Sequence, residues 1–187
     1  VQKANNMMGL IRRTFTYLDK TIFTNLFKAL VRPHLEYASP VWNPSQIKYK
    51  KLIENVQRRA TKYLPCCSNL EYKDRLKKLD LPCMAYRKMR GDIIEVYKML
   101  NGSYDEEIDP PLIKKENRNT MQTRGDCKLK KSKIKRASRA NFFKNRVVNL
   151  WNELPGKVID APSVASFERR LDKYWNIKVS LPKSIWR

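Results

Sequence analysis

Residues 45–64 read SQIKYKKLIENVQRRATKYL, and this stretch decides the fold class because its apolar and basic residues separate at helical spacing. A projection at 100° per residue places Lys51, Arg58 and Lys62 on one side. Arg59 falls at the edge of that side. We therefore expect a helix that is buried on one face and basic on the other. The expected buried face consists of Tyr49, Leu52, Ile53, Val56, Ala60, Tyr63 and Leu64.

The segments before this stretch are also predicted to be helical. A first amphipathic helix should end near Thr16, and Asp19 can cap a second one. That second helix should stop or kink before Pro33, because proline lacks an amide donor and disfavours helix at the preceding residue. Two further prolines and two aromatic residues between 35 and 44 suggest an aromatic-pinned turn, after which Ser45 can cap the basic helix.

Downstream, the pattern remains helical. A short helix over residues 72–79 should be separated by Pro82 from a longer one, and Gly102 provides a stop for the longer helix. Helical spacing returns over residues 142–154, and Ser163 can cap a last helix. Because no sustained alternation of apolar and polar residues occurs, the sequence predicts an all-α fold.

Half of the excess charge lies in one segment. Residues 114–146 contain 13 Lys and Arg residues against two acidic ones. Within it, CKLKKSKIKR at 127–136 alternates only weakly, which favours an extended or disordered arm that stays mobile until it meets an anion. We expect a helical region at 1–105, a basic arm at 106–138 and a smaller C-terminal helical region at 139–187.

The overall charge indicates an anionic partner. The 187 residues include 40 Lys and Arg against 18 Asp and Glu, a formal charge of +22, and nucleic acid is the commonest partner of such chains. No apolar stretch is long enough to span a membrane, since Ile22–Val31 is short and carries Lys28. Because the sequence starts without a methionine or secretory signal, we expect a piece of a longer protein in a reducing, intracellular compartment.

The residue types that carry catalysis are scattered. Two-metal chemistry needs clustered carboxylates, but no Asp-Asp pair occurs, and Tyr104-Asp-Glu-Glu107 is more typical of a solvated loop. No glycine-rich phosphate loop is present, and His34 is the sole histidine. We therefore expect no enzymatic activity, no cofactor and no small-molecule substrate. Zinc is not expected either, because the cysteines lack paired spacing; they are Cys66, Cys67, Cys83 and Cys127.

A second basic cluster opens the predicted helix after Pro82. Arg87, Lys88 and Arg90 lie where the positive end of the helix dipole disfavours cations. This conflict predicts a nearby anion, which could be a bound phosphate or a neutralising carboxylate of Asp80 or Asp92. Aromatic residues between the cations could stack on bases, although helical spacing favours the core; they are Tyr63, Tyr86 and Tyr97.

A series of sequence motifs covers nearly the whole chain. The motifs are Arg32–Trp42 (RPHLEYASPVW), Glu54 with Val56–Thr61, Asp74–Leu76, Arg90–Asp92, Val96–Lys98, Thr123–Gly125, Phe142-Phe143, Arg146–Pro155 and Ser163–Leu171. In their identity and order they resemble the region after the catalytic palm in LINE-type (non-LTR retrotransposon) reverse transcriptases.

This resemblance implies a helical, thumb-like bundle that grips template–primer duplex, followed by a C-terminal region that contacts element RNA or target DNA. It also implies that the palm, with its catalytic carboxylates, and the endonuclease lie upstream of Val1, and that the protein is nuclear. Arg87-Lys88 departs from the paired arginines expected there, which keeps the charge but removes one planar, bidentate donor.

The first hypothesis is a non-catalytic reverse-transcriptase fragment that binds RNA, RNA–DNA hybrid or DNA through backbone phosphates. Two alternatives remain: a helical module that docks on the missing palm, and a degenerate retrotransposon remnant without function. The candidate nucleic-acid-binding residues are Lys51, Arg58, Arg59, Lys62, Arg87, Lys88, Arg90, Lys128, Lys130, Lys131, Lys133, Lys135, Arg136 and Arg139.

Overall fold

The computed structural model describes residues 1–104, 112, 128–133 and 137–175. Over these residues the fold is all-α, as the sequence predicts, and no strand is present among them. The chain divides into two compact units, and the boundary between them falls between Lys88 and Met89. No helix in this part of the chain has the length and apolar character needed to cross a membrane.

Among the described residues, the first unit contains six α-helices and the start of a seventh, which the non-helical residues Leu81, Pro82 and Cys83 separate from the sixth. Their bounds are α1 Gln2–Thr14, α2 Lys20–Leu26, α3 Pro33–Glu36, α4 Ser39–Trp42, α5 Ile47–Lys62, α6 Tyr72–Leu79 and α7 Met84–Leu100, with a π-helical turn at Phe27–Val31 and a 3₁₀ turn at Pro65–Cys67.

Local signals set most of these bounds. The Asp19 carboxylate accepts a hydrogen bond from the Ile22 amide at 2.6 Å, which is the predicted cap of α2. At Pro33 the helix type changes: a π-helical turn ends at Val31 and α3 begins at the proline, but Arg32 keeps helical dihedral angles of φ −59° and ψ −39°, so the predicted disfavour for helix at Arg32 is wrong. The predicted cap at Ser45 is wrong: α5 begins at Ile47 and has no side-chain cap.

The predicted aromatic-pinned turn consists of α3, α4 and a left-handed residue between them. Ala38 has φ 50° and ψ 30°, a conformation that costs an alanine about 1 kcal/mol. The Trp42 indole N–H donates to the Tyr37 carbonyl and closes the turn. Tyr37 is 83% exposed. It therefore stabilises the turn through its backbone carbonyl, and its side chain does not pack into the turn.

The core of the first unit is formed by α1, the π-helical turn, α3 and α5, which pack against one another. Phe23 and Phe27 stack with ring centroids 5.9 Å apart and are fully buried. α5 contributes Ile53, Val56 and Ala60. The buried face of α5 is narrower than predicted. Three residues that were expected to be buried are exposed: Tyr49, Leu52 and Tyr63.

The second unit combines the rest of α7 with α8 Ala137–Ala140, α9 Phe143–Asn152, α10 Gly156–Ile159 and α11 Val164–Trp175. Its buried centre includes Trp151 and Phe167, whose rings lie 6.0 Å apart, and Tyr97, which stacks on Phe167 at 4.2 Å. The Ser163 hydroxyl accepts from the Ser166 amide at 3.2 Å and caps α11 as predicted.

This division differs from the expected boundary at residues 105 and 106. The C-terminal part of α7 groups with the second unit because its apolar side chains belong to that core: Ile93 and Val96 are fully buried there. Gly102, with φ 69°, follows the end of α7 at the predicted stop. Within the expected arm, residues 106–111, 113–127 and 134–136 lie outside the described residues.

Candidate nucleic-acid interface

The outward face of α5 is basic and exposed. Lys51, Arg58 and Lys62 are exposed, as is Arg59, in agreement with the helical projection. At the helical rise of 1.5 Å per residue, Lys51 and Lys62 lie about 16 Å apart along the axis. Lys48 falls on the same side and is exposed too. Lys48 was not among the predicted residues, although the same projection places it on this side.

This face carries charge of one sign. The only carboxylate in α5 is Glu54, which lies about one helical turn from Lys51 and Arg58 but is buried, with 7% exposure. Arg58 is oriented by the Tyr72 ring, whose centroid lies 5.0 Å from the guanidinium carbon. Arg59 Nε donates to the Asn55 carbonyl at 3.4 Å. Both arginines therefore have partial restraints within the protein while remaining exposed.

Glu54 connects three helices. Its Oε2 atom accepts from the backbone amides of Met84 and Ala85 at 3.0 and 3.3 Å, at the start of α7, and Oε1 accepts from the Tyr72 hydroxyl in α6. Burial raises the pKa of Glu54, and these hydrogen bonds and Arg58 oppose the rise. Burial, and to a smaller extent the Glu54 carboxylate, raises the pKa of Cys83 to about 12.

The anion that the sequence predicts at the start of α7 is therefore supplied by the protein. Glu54 occupies the first amides of the helix, where a phosphate was one of the two expected ligands. The other expectation was neutralisation by Asp80 or Asp92; the carboxylates that pair with Arg87 and Arg90 are Glu36, Glu168 and Asp172. Asp80 ends α6 in a left-handed conformation, and Asp92 pairs with Arg146.

Arg87 pairs with Glu36 of α3. Its Nη2 atom donates to Glu36 Oε2 at 2.8 Å, and Nε donates to Oε1, giving a two-point ion pair in which both side chains are about a quarter exposed. Glu36 also lies 3.7 Å from Arg32. Burial and the nearby Arg87 charge lower the pKa of Arg32. This carboxylate thus balances two cations at once.

Lys88 is directed into the first unit, with only 6% exposure. Its Nζ atom lies 3.7 Å from the centroid of the Trp42 ring, a cation–π geometry. The contact connects α7 to the turn that contains α4. A buried ammonium in this position is directed at the protein interior, so Lys88 is not on the exposed basic surface.

Arg90 pairs with two acidic residues of α11 in the second unit. Its Nε and Nη2 atoms donate to Asp172 at 2.7 and 3.0 Å, and Nη2 donates to Glu168 at 3.2 Å. The hydrogen bond to Asp172 raises the pKa of the guanidinium. The carboxylates come from about eighty residues downstream, and no local pattern around Arg90 identifies them.

The most buried ion pair is formed by Asp92 and Arg146. Two guanidinium nitrogens of Arg146 donate to the two Asp92 oxygens, each at 2.9 Å. The Asp92 side chain is 3% exposed and that of Arg146 15%. This bidentate pair joins α7 to α9 within the second unit, and the sequence analysis did not identify it.

The described part of the basic arm is anchored at Leu129. This side chain is 1% exposed within the core of the second unit. Its amide donates to the Asn152 side chain at 2.8 Å, and the same side chain donates back to its carbonyl at 3.0 Å. Lys128 Nζ donates to the Asn152 carbonyl at 3.0 Å. Residues 128–133 thus form neither helix nor strand, in line with the extended alternative, but Leu129 packs in the core.

The arm's other described cations project outward. Lys130, Lys131 and Lys133 are exposed, and Arg139, in the short helix α8, is exposed as well. Lys135 and Arg136 lie outside the described residues. The alternation around Leu129 therefore places one apolar side chain in the core and the neighbouring ammonium groups in solvent.

The three tyrosines considered for base stacking divide into two groups. Tyr86 and Tyr97 are 8% and 3% exposed and belong to the core. Tyr63, just after α5, is 41% exposed and lies beneath the guanidinium of Arg12, whose carbon is 5.1 Å from the ring centroid. Arg12, at the end of α1, was not among the predicted residues.

The cysteines do not assemble a metal site in the described part of the chain. Cys66 is exposed, whereas Cys67 and Cys83 are buried, and all three are free thiols. No group of three or more potential ligands lies together among the described residues. Cys127 is outside them. Burial is the main cause that raises the pKa of the Cys67 thiol.

The structure therefore gathers the four predicted α5 cations on one exposed face, and it directs Arg87 and Arg90 to carboxylates and Lys88 to an indole ring. Comparison with known proteins adds no relative: no protein-family model, curated protein or solved structure matches the chain.

Proposed function

We propose that the chain binds nucleic acid by neutralising backbone phosphates along the exposed face of α5, with the exposed lysines of the arm as a second contact. The observation that carries this proposal is the one-sided charge of α5. Four predicted cations are exposed there, and the helix's only carboxylate, Glu54, is buried. Such a stripe attracts a polyanion and is poorly suited to packing in a protein core.

The inner face of α5 supports this role because it fixes the helix. Glu54 accepts the first amides of α7, and Gln57 Nε2 donates to the Pro82 carbonyl at 3.0 Å. Both residues are almost fully buried. A helix held in this way presents its outer cations at fixed spacing, which reduces the ordering cost of binding.

Little sequence specificity is expected. Lysine and arginine contacts to phosphates set position but carry no base information. The binding should therefore extend across unrelated sequences. RNA, RNA–DNA hybrid and DNA remain open as ligands.

The resemblance to LINE-type reverse transcriptases suggests a biological setting. On that interpretation the chain is the thumb-side part of an RNA-directed DNA polymerase and is not itself catalytic. The polymerase carboxylates would belong to an upstream palm. The nucleic acid held by α5 would then be template–primer duplex, element RNA or target DNA.

A salt titration of the full chain tests the proposal. Fluorescence anisotropy with two duplexes of unrelated sequence should give similar affinities, and log K should fall linearly with log salt by roughly 0.9 per phosphate contact. Replacing Lys51, Arg59 and Lys62 by Gln (the α5 variant) should flatten the slope by about three units. Arg58 is left in place because it contacts Tyr72.

The matched control replaces three exposed lysines of the first unit elsewhere, Lys3, Lys20 and Lys28, by Gln. This control variant loses the same charge but should keep most of the slope. Salt-independent binding by the wild-type chain, or equal losses in both variants, would contradict the proposal.

A second candidate, a module that docks on a polymerase palm, is favoured by exposed apolar residues near α4. Val41 is 86% exposed, Tyr37 83% and Trp42 41%. Removing them from water would stabilise a complex by roughly 25 cal/mol per Å². Co-expression with a palm domain of a LINE-type reverse transcriptase should then increase solubility, and replacing Tyr37 and Val41 by Ser should abolish that increase. Unchanged solubility would oppose this candidate.

A further inference from the structure

Tyr63 and Arg12 form an exposed aromatic–cation pair at the edge of the basic face of α5. The Arg12 guanidinium carbon lies 5.1 Å from the ring centroid, and the tyrosine remains 41% exposed. Tyr63 follows Arg59 by four residues, and residues at this spacing are neighbours on a helix surface. The pair therefore lies beside a residue of the proposed phosphate-binding face.

We infer that this pair is a stacking platform for an unpaired base, so that the surface binds single-stranded nucleic acid through base as well as phosphate. The inference rests on the proposed function, because α5 must hold the backbone before a base can reach the ring. Tyrosine rings and arginine guanidinium planes both stack on bases, and such stacking tolerates any sequence.

The local geometry favours an unpaired base over a duplex. In a duplex the π-faces of the bases are covered by their neighbours, whereas a single strand can turn a base outward. Arg12 is exposed and covers the ring at about the distance of a cation–π contact. A base could stack on the ring or on the guanidinium while Arg59 and Lys62 contact the flanking phosphates.

Packing alone explains the pair less well. The other two tyrosines interleaved with cations, Tyr86 and Tyr97, are buried in cores. Tyr63 was predicted to lie on the buried face of α5, yet nearly half of its surface is exposed. Of these three tyrosines, Tyr63 is the exposed one, and it lies next to the exposed Arg59 and Lys62.

The test measures binding of the full chain to a short single-stranded thymidine oligomer and to the same oligomer with abasic sites in place of the bases. The wild-type chain should bind the thymidine oligomer more tightly. Tyr63→Leu should weaken thymidine binding by roughly fivefold or more, the lower end for one stacked base, and leave abasic binding and the salt slope unchanged.

Two variants serve as controls. Tyr63→Phe keeps the ring and should retain wild-type binding. Tyr49→Leu removes a tyrosine of similar exposure (48%) from α5 and should change neither affinity. Equal wild-type affinity for the two oligomers would overturn the inference without any variant, so it stays testable even if Tyr63→Leu folds poorly.

The outcomes separate this inference from the proposed function. If the α5 variant weakens both oligomers while Tyr63→Leu weakens neither, or both equally, the platform is refuted and phosphate binding by α5 stands. If the α5 variant binds both oligomers like the control variant, the proposed function itself fails.

Discussion

The α5 and α7 helices both carry basic clusters, but the side chains of the two clusters have different surroundings in the structure. The selected cations of α5 project into solvent from a face without an exposed carboxylate. The cations near the start of α7 are engaged inside the protein: Arg87 with Glu36, and Arg90 with Asp172. A basic run in a sequence thus predicts an anionic ligand only after its internal partners have been found.

Carboxylate placement accounts for the difference. The partners of the α7 cations come from α3 and α11, far away in sequence, where no local pattern reveals them. The carboxylate within α5 points inward and caps α7. Because Glu54 is buried, the solvent-exposed surface of α5 carries no carboxylate. The same side chain accepts hydrogen bonds from the first amides of α7, where a phosphate was one of the expected ligands.

The largest effect on stability is expected from the buried ion pair of α7. Arg146→Met should lower the free energy of unfolding by about 3–5 kcal/mol, because it leaves the Asp92 carboxylate buried without its bidentate guanidinium. Chemical denaturation provides the measurement. Arg139→Met, at an exposed site, is the control. A loss below about 1 kcal/mol would show that this pair does not stabilise the fold.

The arm provides a second basic region for the comparison. Changing Lys130, Lys131, Lys133 and Lys135 together to Gln should flatten the salt slope of duplex binding by about three or four units and leave stability nearly unchanged. Unaltered affinity and slope in the lysine variant would identify the arm as a solvated linker.

Leu129→Ala should instead lower the free energy of unfolding by about 2–3 kcal/mol, since that side chain is buried.

A smaller loss is expected when the cap of α7 is removed. Glu54→Ala should lower the free energy of unfolding by about 2 kcal/mol, because it leaves two helix amides and the buried Tyr72 hydroxyl without this acceptor. Thermal and chemical unfolding measure it. Glu71→Ala is the control, since Glu71 is exposed and caps no helix amide. Equal effects of both changes would contradict the role of Glu54.

The smallest effect is a pH dependence from the same glutamate. Burial raises the pKa of Glu54, so the folded state binds its proton more readily than the unfolded state. Stability relative to Glu54→Gln should therefore fall as the pH rises from about 4.3 through the raised pKa, by at most about 1.4 kcal/mol per pH unit. Parallel pH profiles of the two proteins would refute the raised pKa.

The sequence predicted the features that depend on local chemistry. Asp19 and Ser163 cap helices through their own side chains, Gly102 takes a positive φ, and α6 spans the predicted residues 72–79. The exposed cations of α5 followed from helical periodicity alone, since 100° per residue separates them from the apolar stripe.

Features set by tertiary contacts were not predictable in the same way. The side chain of Asn152 fixes Leu129 through two hydrogen bonds across more than twenty residues. Tyr63 fits the apolar pattern of α5 as well as Val56 does, yet Tyr63 is 41% exposed and Val56 only 1%. Sequence periodicity indicates a face, and tertiary packing decides how much of that face is covered.

The most direct test of the central claim compares the salt slopes of two variants on one duplex. The account predicts that the α5 variant loses about three units of slope while its stability is nearly unchanged. A variant carrying Arg87→Gln and Arg90→Gln should show the reverse, reduced stability with the wild-type slope. A wild-type slope in the α5 variant together with a flattened slope in the Arg87 and Arg90 variant would contradict the account.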